Sequence, residues 1–468
     1  MDLHSLTISD VKRQFKKKEL SATELTKEYL KRIRQVEPKI KAFVTVTEER
    51  ALMDAKKADE MMAKDEDAKL LGIPFAIKDN CLTAGIRTTA SSRILDTFIP
   101  PYSATLVDKL INAGIVLLGK TNLDAWAHGS STETSDYGTT LNPWDINRLP
   151  GGSSGGSAAS VAADECLAAI GTETAGSTRL PSAWCGVIGL KPTYGRVSRY
   201  GVIAMGSSLD SPGPITKSVE DAALILDILA GRDEMDATTS SKEVKSYTEN
   251  LEASRKMRIG IADDYFAGVD PEIVRAVEQA LEVLKKQGHS VKKIKLFDPK
   301  SAIDVYTILQ RSEVSSNMAR YDGIRFGLDR SHFGEEAKRR IMLGTYALSA
   351  GYYDAYYKKA QKVRTIIIQD FAKAYEDVDV IIGPTTPVTA PKVGASLDRA
   401  MFGEIIDVLL EPSSIAGLTG ISIPVGFSKE GMPIGMQIIG QQYCEETILN
   451  LAYQYEKENQ WNLRKPNL

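Results

Sequence analysis

The chain has 468 residues, too many for one small domain and enough to bury a large core. Apolar residues make up 43% and charged residues 25%, as in ordinary soluble globular proteins, and the net charge of −3 does not mark a nucleic-acid binder, although it leaves a local basic patch open. No apolar run approaches the roughly 20 residues that span a bilayer. Met1–Thr7 lacks the basic-then-apolar pattern of a secretion signal, and Cys81, Cys166, Cys185 and Cys444 have neither zinc-like nor redox-motif spacing. The expected setting is the cytoplasm, with free thiols and no membrane contact.

The first 65 residues read as helical. Thr7-Ile-Ser-Asp10 and Ser21-Ala-Thr-Glu24 are capping boxes followed by apolar residues at helical spacing, and Pro38 is expected to end the second helix. Gly72–Ile77 is a short apolar run that fits a buried strand, with Lys78-Asp-Asn80 at its end. A helix is predicted over Thr105–Ile111 and a strand over Ile115–Leu118. Residues 129–157 are rich in Gly, Ser, Thr and Asn, which marks either a functional loop or a low-complexity linker.

From 185 to 216 the many Gly, Pro and Ser residues predict irregular packed structure. A helix follows over Val219–Leu229, then a flexible surface excursion over 232–255. Arg258–Ile261, Val378–Gly383, Gly420–Val425 and Ile434–Ile439 read as strands, and Pro271–Gln287 as a helix. Strands alternating with helices over the whole length predict an α/β fold with a central mixed sheet flanked by helices. No linker divides the chain convincingly, so the expected organisation is a helical segment over 1–65 packed on a single domain over 66–468.

Two Gly/Ser turns carry the chemistry: Gly151-Gly-Ser-Ser-Gly-Gly-Ser157 and Thr174-Ala-Gly-Ser-Thr178. A serine hydroxyl becomes a nucleophile when a base takes its proton and backbone N–H groups face the developing oxyanion. The second turn suits this, since it follows a buried apolar segment and precedes a new element. Alone, an Ala-Gly-Ser would be a plain turn. Gly152–Gly156 formally matches the nucleophile elbow of α/β-hydrolases, but no buried strand precedes it. A phosphate-binding loop is excluded because no Lys-Ser or Lys-Thr follows the second glycine pair. None of His4, His128, His289 and His332 lies in a catalytic context. The remaining base is Lys78, whose pKa would fall if the strand end were desolvated. On position alone, a solvated surface lysine is the commoner case.

Together these pieces resemble the amidase signature family, from about Leu71 to the end. The likeness is densest at Gly151–Ala159, at Gly171-Thr-Glu-Thr-Ala-Gly-Ser-Thr-Arg179 and at Cys185–Ser198. The resemblance implies a Ser–cis-Ser–Lys triad: Ser177 as nucleophile, Ser153 as the bridging serine on a cis peptide, and Lys78 as base. It also implies an oxyanion hole from the backbone at Thr174, Ala175 and Gly176, with no metal or cofactor in this chain. Within the family the chain is most similar to the ammonia-supplying subunits of tRNA-dependent amidotransferases. The supporting stretches are Gly119–Asp124, Lys191–Gly201, Ser208-Leu-Asp210, Ala319–Arg325, Arg339–Gly344 and Gly351–Lys359.

That likeness implies glutamine as substrate, with Arg340, Asp407 and Tyr306 at the holding positions. It implies partner subunits B and C in a heterotrimer, ATP and Mg²⁺ in the partner, and glutamyl-tRNA(Gln) reached mainly through the partner. Four positions depart from the family pattern: Glu173 for Asp, Ala175 for Gly, Leu180 for a small polar residue or Gln, and His128 for Met. The segment from Gly327 to Gly334 is also shorter. The rival expectations are a stand-alone amidase acting on another small amide and a non-catalytic scaffold.

Overall fold

The computed structural model describes residues 2–253, 255–324, 328–397 and 401–468. Ser254, Arg325 and Gly327, which fall in segments discussed above, lie outside them. Among the described residues, eleven strands form one sheet: β1 (Phe43–Val46), β2 (Pro74–Lys78), β3 (Val116–Thr121), β4 (Ala168–Glu173), β5 (Ile188–Lys191), β6 (Ser211–Thr216), β7 (Arg258–Ile261), β8 (Ser290–Lys293), β9 (Val380–Pro384), β10 (Thr419–Phe427) and β11 (Pro433–Gly440). Their spatial order is β1-β3-β2-β4-β6-β5-β10-β11-β9-β7-β8. β2 runs parallel to β3 and β4, and β7 runs parallel to β8 and β9; the other pairings are antiparallel. The α/β class with a mixed central sheet is therefore as the sequence pattern predicts.

The sheet interior explains the apolar runs. β2, β3, β4, β5, β6, β9 and β11 are buried at every residue, as expected for strands covered on both faces. Helix Val219–Leu229 and the capping boxes at Thr7 and Ser21 stand where the sequence places them. The helix Ala22–Ile40 runs through Pro38 rather than ending there. So close to the terminus a proline forfeits only one backbone bond, while buried Val36 and Ile40 hold the last turn and the Lys41 N–H closes it on the Glu37 carbonyl. The first 65 residues are not purely helical, because Phe43–Val46 pairs with β3 at the sheet edge.

The stretch 185–216 contains two strands, β5 and β6, not only irregular chain. Pro212 and Pro214 disguise β6. They are tolerated deep in the sheet because β6 pairs with β5 only at Ile215 and Thr216, leaving the ladder open beside both prolines. Residues 129–154 hold neither helix nor strand, yet all but Ile146 and Asn147 are buried or half-buried. Asn122 ties this loop down through Gly138, Thr140 and Ser135, and Asp124 does so through Ser131 and Thr134. It is a built part of the core, not a linker. Within 232–255, Asp227, Asp233 and Asp236 bind the chain by hydrogen bonds, and Tyr247 and Leu251 are buried.

Candidate active site

Three elements meet at one place: the end of β2, the turn entering helix Gly155–Ala162, and the turn between β4 and helix Arg179–Cys185. β2 and β4 are parallel neighbours, with Ile77 opposite Ile170, so both strands deliver their C-terminal ends to the same rim. Lys78 ends β2 and is fully buried. Its Nζ donates to Ser153 Oγ and Ser154 Oγ, each at 2.8 Å, to Thr172 Oγ1 at 3.0 Å and to the Thr172 carbonyl at 3.2 Å. Burial pulls the amine down from 10.5 to about 7, against the opposing pull of Cys81, Asp124, Asp210 and Glu173.

The peptide bond between Gly152 and Ser153 is cis. Position 152 must be glycine, because a Cβ there would collide with the Asp124 carboxylate and lie 2.6 Å from the Ser131 nitrogen. Ser154 joins the two serine turns: its N–H donates to the Ser177 carbonyl at 3.0 Å, and its hydroxyl donates to the Thr172 carbonyl at 3.2 Å.

Ser177 is nearly buried. The N–H groups of Ala175, Gly176 and Ser177 have no acceptor among the described residues. They are thus available to an incoming oxyanion. The turn is clamped from both sides. Glu173 accepts the N–H groups of Thr178 at 3.1 Å and Arg179 at 3.0 Å, and its other oxygen pairs with the Arg179 guanidinium at 2.6 Å. Arg179 also reaches Gln437, Ser414 and the carbonyls of Ala175 and Leu410, so its buried charge is fully engaged. Thr174 Oγ1 donates to Asp210, whose carboxylate also receives the N–H groups of Met205 and Gly206.

Of the three expected substrate-holding residues, Asp407 lies against this turn, and Tyr306 lies within range of the charges of both Asp407 and Arg340. A Cβ on Gly176 would collide with Asp407 Oδ1 and approach Leu410 Cδ1 to 2.5 Å, which places the Asp407 carboxyl against the residue preceding Ser177. Asp407 Oδ2 accepts from Ser130 Oγ at 2.8 Å, while Oδ1 is buried without a partner. Burial holds this carboxyl well above its ordinary range, and Glu173 and Glu404 add to the rise. Arg340 is buried, donates to Glu336 at 2.5 Å and lies 3.9 Å from Glu404. Tyr306 is buried within range of the charges of Arg340, Glu411, Asp407 and Glu404, and burial pushes its phenol well up.

Several participants are absent from the sequence reading. Ser154 and Thr172 share the lysine, Asp210 fixes Thr174, Ser130 holds Asp407, and Glu404 bridges Arg311 and Arg340. Ser154, Thr172 and Asp210 do fall inside the quoted family stretches; Glu404 carried no signal. Among the described residues, no three His, Cys, Asp or Glu side chains are grouped to hold a metal ion, and no helix is long and apolar enough to cross a membrane.

The family model described as Amidase matches residues 24–449. The chain belongs to the amidase signature family. It is 52% identical over 474 residues to the A subunit of glutamyl-tRNA(Gln) amidotransferase from Caldanaerobacter subterraneus subsp. tengcongensis, covering 98% of this chain and 97% of that one. The corresponding protein of Thermoanaerobacter pseudethanolicus is 50% identical, with 99% and 98% covered. Among solved structures, the A subunit of glutamyl-tRNA(Gln) amidotransferase from Thermotoga maritima superposes with a TM-score of 0.83 at 39% identity, covering 98% and 96%. The peptide amidase from Stenotrophomonas maltophilia gives a TM-score of 0.84 at 31% identity, with 97% of each chain covered. The amidase fold is thus shared by enzymes with different substrates, and the substrate must be argued from the site.

Proposed function

We propose that this chain is the glutamine-hydrolysing A subunit of a glutamyl-tRNA(Gln) amidotransferase. The observation that carries the reading is Asp407, whose unpartnered buried oxygen packs against Gly176, one residue before Ser177, in a cluster that also holds Arg340. A neutral amide needs no paired anion and cation, whereas a zwitterionic amino acid needs both. Asp407 receives the α-ammonium, Arg340 the α-carboxylate, and Tyr306 closes the pocket. The full-length likeness to subunits bearing that name supports the same reading.

The mechanism follows from hydrogen-bond capacity. A neutral lysine amine has two N–H donors and one lone pair. The Ser154 hydroxyl is committed to the Thr172 carbonyl, so Ser153 is left to give its proton to the lysine lone pair. Ser153 in turn takes the proton of Ser177 as the Ser177 oxygen bonds to the amide carbon of glutamine. The oxyanion that forms is met by the free N–H groups of Ala175, Gly176 and Ser177. Collapse breaks the C–N bond, the proton returns through Ser153 to the departing ammonia, and water then hydrolyses the acyl-enzyme along the same relay. Ammonia passes to the partner subunits, B and C, in a heterotrimer. ATP, Mg²⁺ and glutamyl-tRNA(Gln) are handled mainly by the partner, in the cytoplasm.

The test is ammonia release from glutamine by the lone chain and by the chain reconstituted with its partner subunits and glutamyl-tRNA(Gln). Release should be slow alone and rise on assembly. The loop 129–150 is the element suited to carry that coupling, because it leads into Ser153 and its Ser130 holds Asp407. Equal, fast rates in both settings would favour a stand-alone amidase.

A further inference from the structure

We propose that His128 is a substrate-specificity residue, whose imidazole donates a hydrogen bond to the α-carboxylate of the amino acid held by Arg340. The inference rests on the glutaminase reading above. His128 is fully buried, and neither ring nitrogen has a hydrogen-bond partner among the described residues. A buried polar group without a partner is costly, so a ring left open at both nitrogens calls for a ligand. The ligand is indicated by its surroundings. Two residues on, Ser130 donates to Asp407 at 2.8 Å, so this short segment runs along the substrate cluster. Burial holds the ring well below the ordinary histidine range, and the nearby guanidinium of Arg340 lowers it further. A neutral imidazole offers one N–H donor and one acceptor. Beside an arginine that binds a carboxylate, the donor finds an acceptor only when that carboxylate is present.

No neighbouring charge explains His128 otherwise. The ring belongs to neither buried ion pair of the cluster: Arg311 pairs with Glu404, and Arg340 with Glu336. Methionine fills similar volume with no donor. His128→Met is therefore a mild structural change that removes only the proposed hydrogen bond.

The experiment uses the full-length chain with its partner subunits and compares glutamine with 4-aminobutanamide, which is glutamine without its carboxylate. His128→Met should raise KM for glutamine about tenfold, the equivalent of about 1.4 kcal/mol for one hydrogen bond to a charged group. The fall in kcat should be under about threefold. On 4-aminobutanamide the penalty in kcat/KM should shrink to under about twofold. His128→Asn, which keeps an N–H donor, should recover most of the loss on glutamine. Thermal melting of each variant checks that it is folded. Equal penalties on both substrates, or no penalty on glutamine, would overturn this inference while leaving the glutaminase reading intact. A wild-type complex that releases no ammonia from glutamine overturns both.

Discussion

The Lys78 amine offers the sharpest physical test of the site. Its fall from 10.5 to about 7 corresponds to about 5 kcal/mol of lost preference for the charged form, at about 1.4 kcal/mol for each factor of ten. Between those two values the unfolded chain holds a proton that the folded chain has released. Stability therefore rises with pH across that window, and the penalty is complete below about 7, where both states hold the proton. Lys78→Met keeps the length of the side chain and removes both the desolvated amine and its hydrogen bonds. Those contacts, four in number, are worth roughly 1 kcal/mol each and offset most of the relief. Near pH 7 the variant should be as stable as the wild type, or more stable by about 1 kcal/mol.

The decisive quantity is the pH dependence of the difference between the two proteins. Urea denaturation of both, followed by tryptophan fluorescence, should show the wild type gaining about 2 kcal/mol on Lys78→Met between pH 7 and pH 9. Titrating groups remote from Lys78 cancel in the comparison. In parallel, wild-type kcat/KM for glutamine should rise with pH through about 7, because the neutral amine is the active form. Lys78→Arg should be as inactive as Lys78→Ala, since a guanidinium does not release its proton. A stability difference that stays flat from pH 7 to pH 9 would mean that the amine remains charged in the fold, and the proton relay would be wrong.

Ser177→Ala should abolish glutamine hydrolysis by several orders of magnitude while shifting stability by less than about 0.5 kcal/mol, checked by ammonia assay and melting. Gly176→Ala should drive a methyl into Asp407, raising KM for glutamine at least tenfold and costing about 1–3 kcal/mol of stability. Asp407→Asn and Arg340→Lys should each raise KM for glutamine far more than they change turnover of a simple amide, measured as paired steady-state constants. Glu173→Gln should destabilise the enzyme by about 3–5 kcal/mol in urea denaturation, because it leaves the fully buried Arg179 uncompensated.

What the sequence disclosed depended on whether a feature is local. Capping boxes, the Val219–Leu229 helix and the apolar runs of β2, β3, β9 and β11 announce themselves through a few neighbouring residues, and these stand as expected. β6 was hidden because its proline content argues against a strand, and only the one-sided ladder with β5 makes those prolines harmless. Helix Ala22–Ile40 outlasts Pro38 because burial of Ile40 is a tertiary fact. Of the proposed triad, Ser153 and Ser177 lie within the quoted family stretches and Lys78 does not. A lysine at a strand end looks solvated until the turn at Ser153 and the Thr172 side chain are folded over it. The acidic shell around Arg340 joins Glu336, one turn away on its own helix, to Glu404 from a segment more than sixty residues further along the chain.

The balance at Lys78 also explains why the carboxylates around it are arranged as they are. Burial alone would push the amine lower still. Asp124, Asp210 and Glu173 pull the other way, yet none makes a salt bridge with it. A direct ion pair would keep the lysine charged and useless as a base. Each carboxylate is instead committed elsewhere. Asp124 accepts from Ser131 and Thr134, Asp210 from Thr174 and the backbone at Met205 and Gly206, and Glu173 from Arg179 and the backbone beyond Ser177. The groups that tune the base are therefore the same groups that hold the loops of the site in place. A change in the position of either serine turn would alter the basicity of Lys78 as well as its geometry, so a partner that moves the loop 129–150 can act on both the alignment and the proton affinity of the relay.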